Sequence, residues 1–276
     1  MSSFYADIMM RREFLWSKQS VLAALELRAK EQLVRLHYVA DSGDEERVAA
    51  IVAAARRRRV EVATVRGRQH LSKLMLRGAP SDRVPQNVLL ECVPRVPLAL
   101  SAPRDVDAIL ARSRLHRVAL FLSGVTDPHN VAAVARAAVF FGLTDVILSE
   151  HGSAPLNDVV AVGSAGASEA VTFHLAHPRD IVSLPNVRVL AAVVPDASYE
   201  RAVPVHALGA HVARAPSDQL TVLAFGSEGK GLGPRFVESP RVTPFFIAGA
   251  SQSPLLDSLN VGVSVAVALS HLGVRQ

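Results

Sequence analysis

The chain has almost no cysteine: Cys92 is the only one in 276 residues. That excludes an intrachain disulfide and a cysteine-based zinc site, and it suits a reducing compartment. Lysine is nearly absent too, with only Lys18, Lys30, Lys73 and Lys230, so arginine supplies most of the positive charge. Arginine's planar fork can hold two phosphate oxygens at once, where an ammonium offers a point charge. A net charge of +5 and a pI near 9.9 then suggest an anionic partner. An arginine-rich coding bias with solvated faces is the alternative. No apolar run reaches the ~20 residues that a bilayer span needs, and no stretch reads as a secretory signal. The first sixteen residues are mildly basic but carry Asp7 and Glu13, which makes them a poor transit peptide as they stand; removal of an earlier presequence is compatible with this. What is present is apolar surface. Half the residues are hydrophobic and a fifth are charged, so the chain is expected to fold as two modest domains or one large one.

Residues 11–93 alternate helix and strand signals. Ser17 caps a helix running to Arg28, and Leu33–Val39 reads as a strand. Asp44 caps a second helix, DEERVAAIVAAARRRR, whose acidic start and basic end both suit the helix dipole. Val60–Val65 is a strand, Gln69–Leu76 a helix and Asn87–Val93 a strand, giving a small α/β layer structure. Arg56, Arg57, Arg58 and Arg59, with Arg66 and Arg68 nearby, form a candidate phosphate-facing patch. A solvated helix end is the other reading. Pro94, Pro97 and Pro103 mark a linker over 94–116. Beyond it, apolar strands at Val118–Leu122, Val146–Leu148, Val187–Val194, Thr221–Phe225 and Arg241–Ile247 alternate with helical stretches. That pattern predicts a mainly parallel sheet covered on both faces, with a ligand at the carboxyl ends of its strands.

Three stretches in this second part carry chemistry. After Val118–Leu122 comes SGVTDPHNVAAVAR, where Asp127-Pro128 makes a turn and Asn130 is expected to cap the next helix. Arg136 sits mid-helix, away from the Val131, Val134 and Ala138 face. After Thr221–Phe225 comes GSEGKGLGP, whose Gly226, Gly229 and Gly231 permit positive φ or close backbone approach. It lacks both the Lys-Ser/Thr ending of a P-loop and the GxGxxG spacing. Last is Leu255–Leu269, LLDSLNVGVSVAVAL, a helix with Asp257 or Ser258 as expected N-cap. Being apolar all round, it is expected to be buried on every face.

DPHNVAAVAR, LAFGSEGKGL and SLNVGVSVAVAL, in that order, resemble the three motifs of the SpoU/TrmH family, RNA ribose 2′-O-methyltransferases of the SPOUT superfamily. VGSAGASEAV at 162–171 is similar to the segment between the first two motifs. The resemblance covers about residues 117–272, and its nearest match is to mitochondrial and bacterial large-subunit rRNA members. Residues 1–93 look like the L30e-type substrate-binding domain that precedes the catalytic domain, 117–276, in those members.

The resemblance implies an α/β sheet with a C-terminal trefoil knot that binds S-adenosylmethionine, without metal and without a membrane. It implies catalytic roles for Asn130, Arg136, Glu228, Ser258 and Asn260. Phe225, Gly226, Gly229, Ile247, Leu256 and Leu259 would contact the cofactor, and the Arg56–Arg59, Arg66 and Arg68 set would contact RNA. The implied substrate is rRNA in preference to tRNA, on the large ribosomal subunit, with a dimer formed with itself or a related methyltransferase-like chain. The implied compartment is the mitochondrial matrix, with the cytoplasm as alternative. Ala132 stands where the first motif usually has Gly, Ala137 where Ser or Thr is common, and Gly262 where Ser follows SLNV. Ala248-Gly249 replaces Ile-Pro. These departures line the cofactor pocket differently, so a catalytically inactive assembly factor that keeps the fold is the rival reading.

Overall fold

The computed structural model describes residues 12–40, 43, 45–75, 84–113, 117–195, 199–250 and 258–273. The chain divides into two compact units, 1–96 with 156–170, and 97–155 with 171–276. The cut after Val96 falls inside the proline-marked linker. The excursion of 156–170 into the first unit has no counterpart in the sequence reading.

The first unit carries β1 (Glu13–Leu15), α1 (Lys18–Leu27), β2 (Leu33–Val39), α2 (Glu45–Arg57), β3 (Glu61–Val65), α3 (Arg68–Met75) and β4 (Val88–Cys92). Its sheet order is β1-β4-β2-β3, with only β2 and β3 parallel. Ser17 caps α1 by accepting from the Ser20 backbone N–H, as its hydroxyl predicts. Asp44, the expected cap of α2, lies outside the described residues. Leu36, Val48, Ile51, Val88 and Leu90 share one core between the sheet and its helices.

The second unit begins with β5 (Leu98–Ala99), α4 (Pro103–Arg112), β6 (Val118–Ser123), α5 (Pro128–Phe140) and β7 (Asp145–Ser149). The chain then makes its excursion through α6 (Asp158–Gly163) and returns as β8 (Thr172–Ala176), α7 (Pro178–Ser183), β9 (Val187–Val193) and β10 (Val203–Pro204). It ends with α8 (Leu208–Ala213), β11 (Leu220–Gly226), α9 (Pro234–Val237), β12 (Val242–Phe246) and α10 (Val261–Ser270). Eight strands pair in the order β10-β12-β9-β11-β6-β7-β8-β5, and every described pairing is parallel. In β6 the residues Val118–Leu122 are all buried, the mark of a strand covered on both faces. Phe121, Ile147, Val189 and Val222 pack into one core with Ile109 and Val242. Each such side chain contributes about 1.5–3 kcal/mol relative to exposure.

Two polar clusters fix positions that hydrophobicity alone leaves free. In the second unit, buried Asp145 accepts from Arg112 at 2.7 Å and Thr144 at 2.6 Å and pairs with His174 at 2.8 Å, tying α4, β7 and β8 together. Burial pushes its carboxyl up, but these three hydrogen bonds outweigh that and hold it below the usual aspartate range. In the first unit, Arg28 grips Glu169 with two bonds of 2.8 Å and reaches Glu13 at 3.1 Å, all three side chains less than a tenth exposed. Arg95 donates to the Ser168 carbonyl, and Trp16 donates to Asp158 at 3.2 Å. Gly166, at φ +84°, lies where a Cβ would come within 2.8 Å of the Gln19 carbonyl oxygen. The excursion is therefore locked onto α1 by charge, hydrogen bonds and close backbone packing.

Three expectations need correction. Asp127, not Asn130, caps α5: its carboxylate accepts from the His129 N–H at 2.9 Å, and Pro128 takes the first helical position. Asn260, not Ser258, caps α10, accepting from the Gly262 N–H at 2.9 Å; Asp257 lies outside the described residues. Finally, α10 is buried on one face only. Val261, Gly262, Val265, Ala268 and Leu269 recur at helical spacing and pack inward, while Val263 is 49% exposed.

Candidate functional site

The site lies where the strands end. β11 runs parallel to β6 with Gly226 opposite Ser123, so the loops that follow the two strands leave side by side. The loop after β11 turns back at once. Gly231 N–H donates to the Ser227 carbonyl at 2.8 Å, with Gly231 at φ +60°. A Cβ on Gly226 would overlap the Gly231 carbonyl, so only glycine closes this ring. Gly229 has neither constraint: its φ is ordinary, and nothing lies within 4 Å of an added Cβ. The ring presents Glu228 outward.

There Glu228 meets the amides of two other motifs. Asn260 donates through Nδ2 to Glu228 Oε1 at 2.7 Å and to Asn130 Oδ1 at 2.8 Å, and Asn130 Nδ2 lies 3.3 Å from the same Glu228 oxygen. The helix cap settles the orientation. Because Asn260 Oδ1 is occupied by the Gly262 N–H, its NH₂ must face the other two residues. As the third residue of α5, one turn from the capping Asp127, Asn130 has its side chain free for this contact.

Beside the triangle lies a cavity of about 610 Å³. Phe225, Gly226, Glu228, Gly229, Ile247, Ser258 and Leu259 all line it, so seven of the sequence-derived residues converge on one space. Leu256 lies outside the described residues. Tyr199 and Lys230 line it as well. Sequence reasoning missed both; Lys230 stood inside the quoted glycine loop, while Tyr199 follows β9 with no motif around it. Phe225 is held in place by an edge-on contact with Phe245 at 5.9 Å between ring centres.

Arg136 stands apart. It is exposed on α5 and makes no hydrogen bond or ion pair among the described residues. The first unit's arginines also separate. Arg57 pairs with Glu26 at 2.9 Å, Arg58 donates to the Glu26 and Arg28 carbonyls, and Arg68 donates to Asn87 at 2.5 Å. Arg56 and Arg59 precede β3 while Arg66 follows it, so the expected single patch is divided between the two ends of a strand roughly 16 Å long.

A parallel α/β sheet with a polar cluster and a sizeable cavity at the carboxyl ends of its strands defines a ligand-binding enzyme-type domain. The family model described as the SpoU rRNA Methylase family matches residues 117–270, and the chain belongs to that family. Among curated proteins it is 27% identical to the 23S rRNA (guanosine-2′-O-)-methyltransferase RlmB of Pseudomonas putida, over 97% of this chain and 98% of that one. It is 24% identical to the mitochondrial rRNA methyltransferase 1 of Saccharomyces cerevisiae, over 68% of this chain and 55% of that one. The chain spans about half the length of the yeast and human mitochondrial relatives it matches. Its fold is that of the AdoMet-bound rRNA methyltransferase from Sinorhizobium meliloti, with a TM-score of 0.67 at 20% identity, covering 98% of this chain and 94% of that one.

Proposed function

We propose that this chain transfers a methyl group from S-adenosylmethionine to a ribose 2′-oxygen of large-subunit rRNA. The observation that carries the reading is the Asn130–Glu228–Asn260 triangle, whose Glu228 lines the 610 Å³ cavity. The names of the P. putida and yeast relatives support the rRNA substrate, and the AdoMet in the S. meliloti structure supports the cofactor.

The residues present fit that cofactor. The cavity has the volume of a small-molecule site. Its wall offers the apolar side chains of Tyr199, Ile247 and Leu259, together with backbone at Gly226 that no side chain obstructs. When bound, the cofactor supplies a methyl group on a sulfonium, an activated leaving group that needs no metal. The chain's own task is to present the ribose oxygen and support the charge that develops on it. Glu228 fixes the two asparagine amides, and Asn130 places the rim of α5 against them. Arg136, with its unengaged guanidinium, stabilises the developing alkoxide and anchors the neighbouring phosphate while the hydroxyl proton leaves to solvent; a guanidinium, which stays protonated, is a poor base.

The first unit serves as the L30e-like RNA-binding domain. Arg56, Arg59 and Arg66 are its free phosphate contacts, since Arg57, Arg58 and Arg68 already bond to other groups of the unit. The second unit carries the trefoil knot. Its exposed Phe140 and Val263 are apolar side chains available for dimerising with itself or a related chain. The lone cysteine and the mitochondrial relatives support the mitochondrial matrix as the compartment.

Two measurements test the reading together. Calorimetry should detect S-adenosylmethionine binding to the purified chain, and ribose-methylation maps of large-subunit rRNA should lose a mark in cells without the protein. No binding at millimolar cofactor, with an unchanged map, would make the chain an assembly factor that keeps the fold without the chemistry.

A further inference from the structure

Ser149 ends β7, outside every motif and outside the wall of the cavity. It is 4% exposed, and its hydroxyl is fully used. It accepts from the Gly124 N–H at 2.9 Å, donates to the His151 carbonyl at 2.9 Å, and accepts from the Ser153 hydroxyl at 2.9 Å. One donor and two acceptors are all that a hydroxyl has. The same two loops are tied a second time, by the Ala154 N–H donating to the Val125 carbonyl at 2.8 Å.

What these bonds hold is the short segment Gly124–Asp127 between β6 and α5. Gly124 is at φ +67° and Gly152 at φ +71°; a Cβ on Gly152 would lie 3.8 Å from the Gly124 backbone, and one on Gly124 would lie 3.8 Å from the Ser227 hydroxyl. The loop after β7 therefore comes up to the Gly124 backbone, and Gly124 in turn faces the Ser227 side chain of the glycine ring. The held segment ends at Asp127, the cap of α5, and three residues later Asn130 enters the triangle. Any drift of this segment is delivered to Asn130 as a change in where its amide points.

We propose that Ser149 is a positioning residue for methyl transfer: through Gly124 it fixes the start of α5 and thereby the placement of Asn130 against Glu228 and Asn260. The inference rests on the methyltransferase reading above. Ser149 does not touch the cavity, so it governs the transfer step and leaves cofactor binding alone.

The test uses the full-length chain with S-adenosylmethionine and its rRNA substrate. Ser149→Ala lowers kcat on the order of tenfold, the scale expected of a small misplacement, while the Kd for the cofactor stays within about twofold of the unaltered chain. Ser149→Thr, which keeps the hydroxyl, restores most of kcat. Ser153→Ala, which removes one bond of the three, has a smaller effect than Ser149→Ala. A generally weakened fold would instead lower cofactor binding and kcat together, with no rescue by threonine, and that outcome overturns the proposal, as does an unchanged kcat in Ser149→Ala. If the unaltered chain methylates no RNA, it is the methyltransferase reading that fails, before Ser149 is tested at all.

Discussion

Asn260 can be changed so that one of its two jobs survives and the other reverses. In Asn260→Asp the oxygen that accepts from the Gly262 N–H remains, and aspartate is as good an N-cap as asparagine, so α10 keeps its start. The NH₂ is lost. Its donated bonds, 2.7 Å to Glu228 and 2.8 Å to Asn130, become contacts between oxygens, one of them between two carboxylates. Two like charges near 4 Å repel by about 1 kcal/mol in water and about 4 kcal/mol at an effective dielectric constant of 20. All three residues are at least partly exposed, so the lower end applies. A repulsion of about 1–2 kcal/mol equals roughly one unit in the pH at which the pair takes up a shared proton. Methyl transfer by the variant should therefore fall on the order of tenfold at pH 7.5 and recover part of that loss as pH falls towards 5, while the thermal midpoint falls by about 2–6 °C. Asn260→Ala is the control. It loses the cap at about 1 kcal/mol and gains no charge, so its activity should not recover in acid. Rates measured with labelled cofactor from pH 5 to 8 separate the two. Identical pH profiles for the aspartate and alanine variants would refute the triangle as the organising contact of the site.

Arg136→Ala should leave cofactor affinity nearly unchanged and reduce single-turnover methyl transfer by a factor on the order of 10²–10³, with little recovered in Arg136→Lys; full activity in the alanine variant would remove Arg136 from the site. Gly262→Ser should cost about 1–3 kcal/mol in a denaturant melt, because an added Cβ would lie 2.8 Å from the Ala133 Cβ and 3.2 Å from Asn260 Oδ1; Ala133→Gly should restore part of it, and a neutral single variant would contradict the packing. Burial pushes the Glu13 carboxyl up to about 6 in spite of Arg28, so the folded state takes up its proton more readily than the unfolded state. Stability should accordingly decline as pH rises from about 4.5 through about 6. Glu13→Gln should flatten that slope in pH-dependent urea melts, and an unaltered slope would show that Glu13 does not titrate there.

Much of the architecture could be read from residues because parallel strands covered on both faces must be apolar throughout. Val118–Leu122, Thr221–Phe225 and Val187–Val194 were found within a residue or two for that reason. β8 was missed because His174 puts a buried polar group where the pattern demands an apolar one. β5 was missed because it lies among the prolines of the linker. At the site, motif order identified Asn130, Glu228 and Asn260, but local rules misassigned the caps. Asp127, Asn130, Ser258 and Asn260 are all good capping residues, and only the backbone decides which of them faces free N–H groups. Had Asn130 capped α5, its Oδ1 would be occupied and could not accept from Asn260. The burial of α10 was overread for a different reason. Hydropathy records what a residue tolerates, while coverage depends on what packs against it. The arginine patch was overread because closeness in sequence ignores the length of the strand between Arg59 and Arg66.

The lock between Arg28 and Glu169 bears on how this protein can be taken apart or rebuilt. A conventional cassette exchange would cut at the proline linker and swap everything before it. Such a cut would orphan Glu169, a carboxylate 1% exposed that is gripped twice by Arg28, and would uncover the backbone at Gly166 that fits against Gln19. Breaking a buried pair by removing one partner costs about 3–5 kcal/mol, a large part of a domain's whole stability. The inheritable module is therefore discontinuous. Residues 1–96 and 156–170 have to travel together, and a lineage that replaced the first without the second would carry a scar in the middle of the chain.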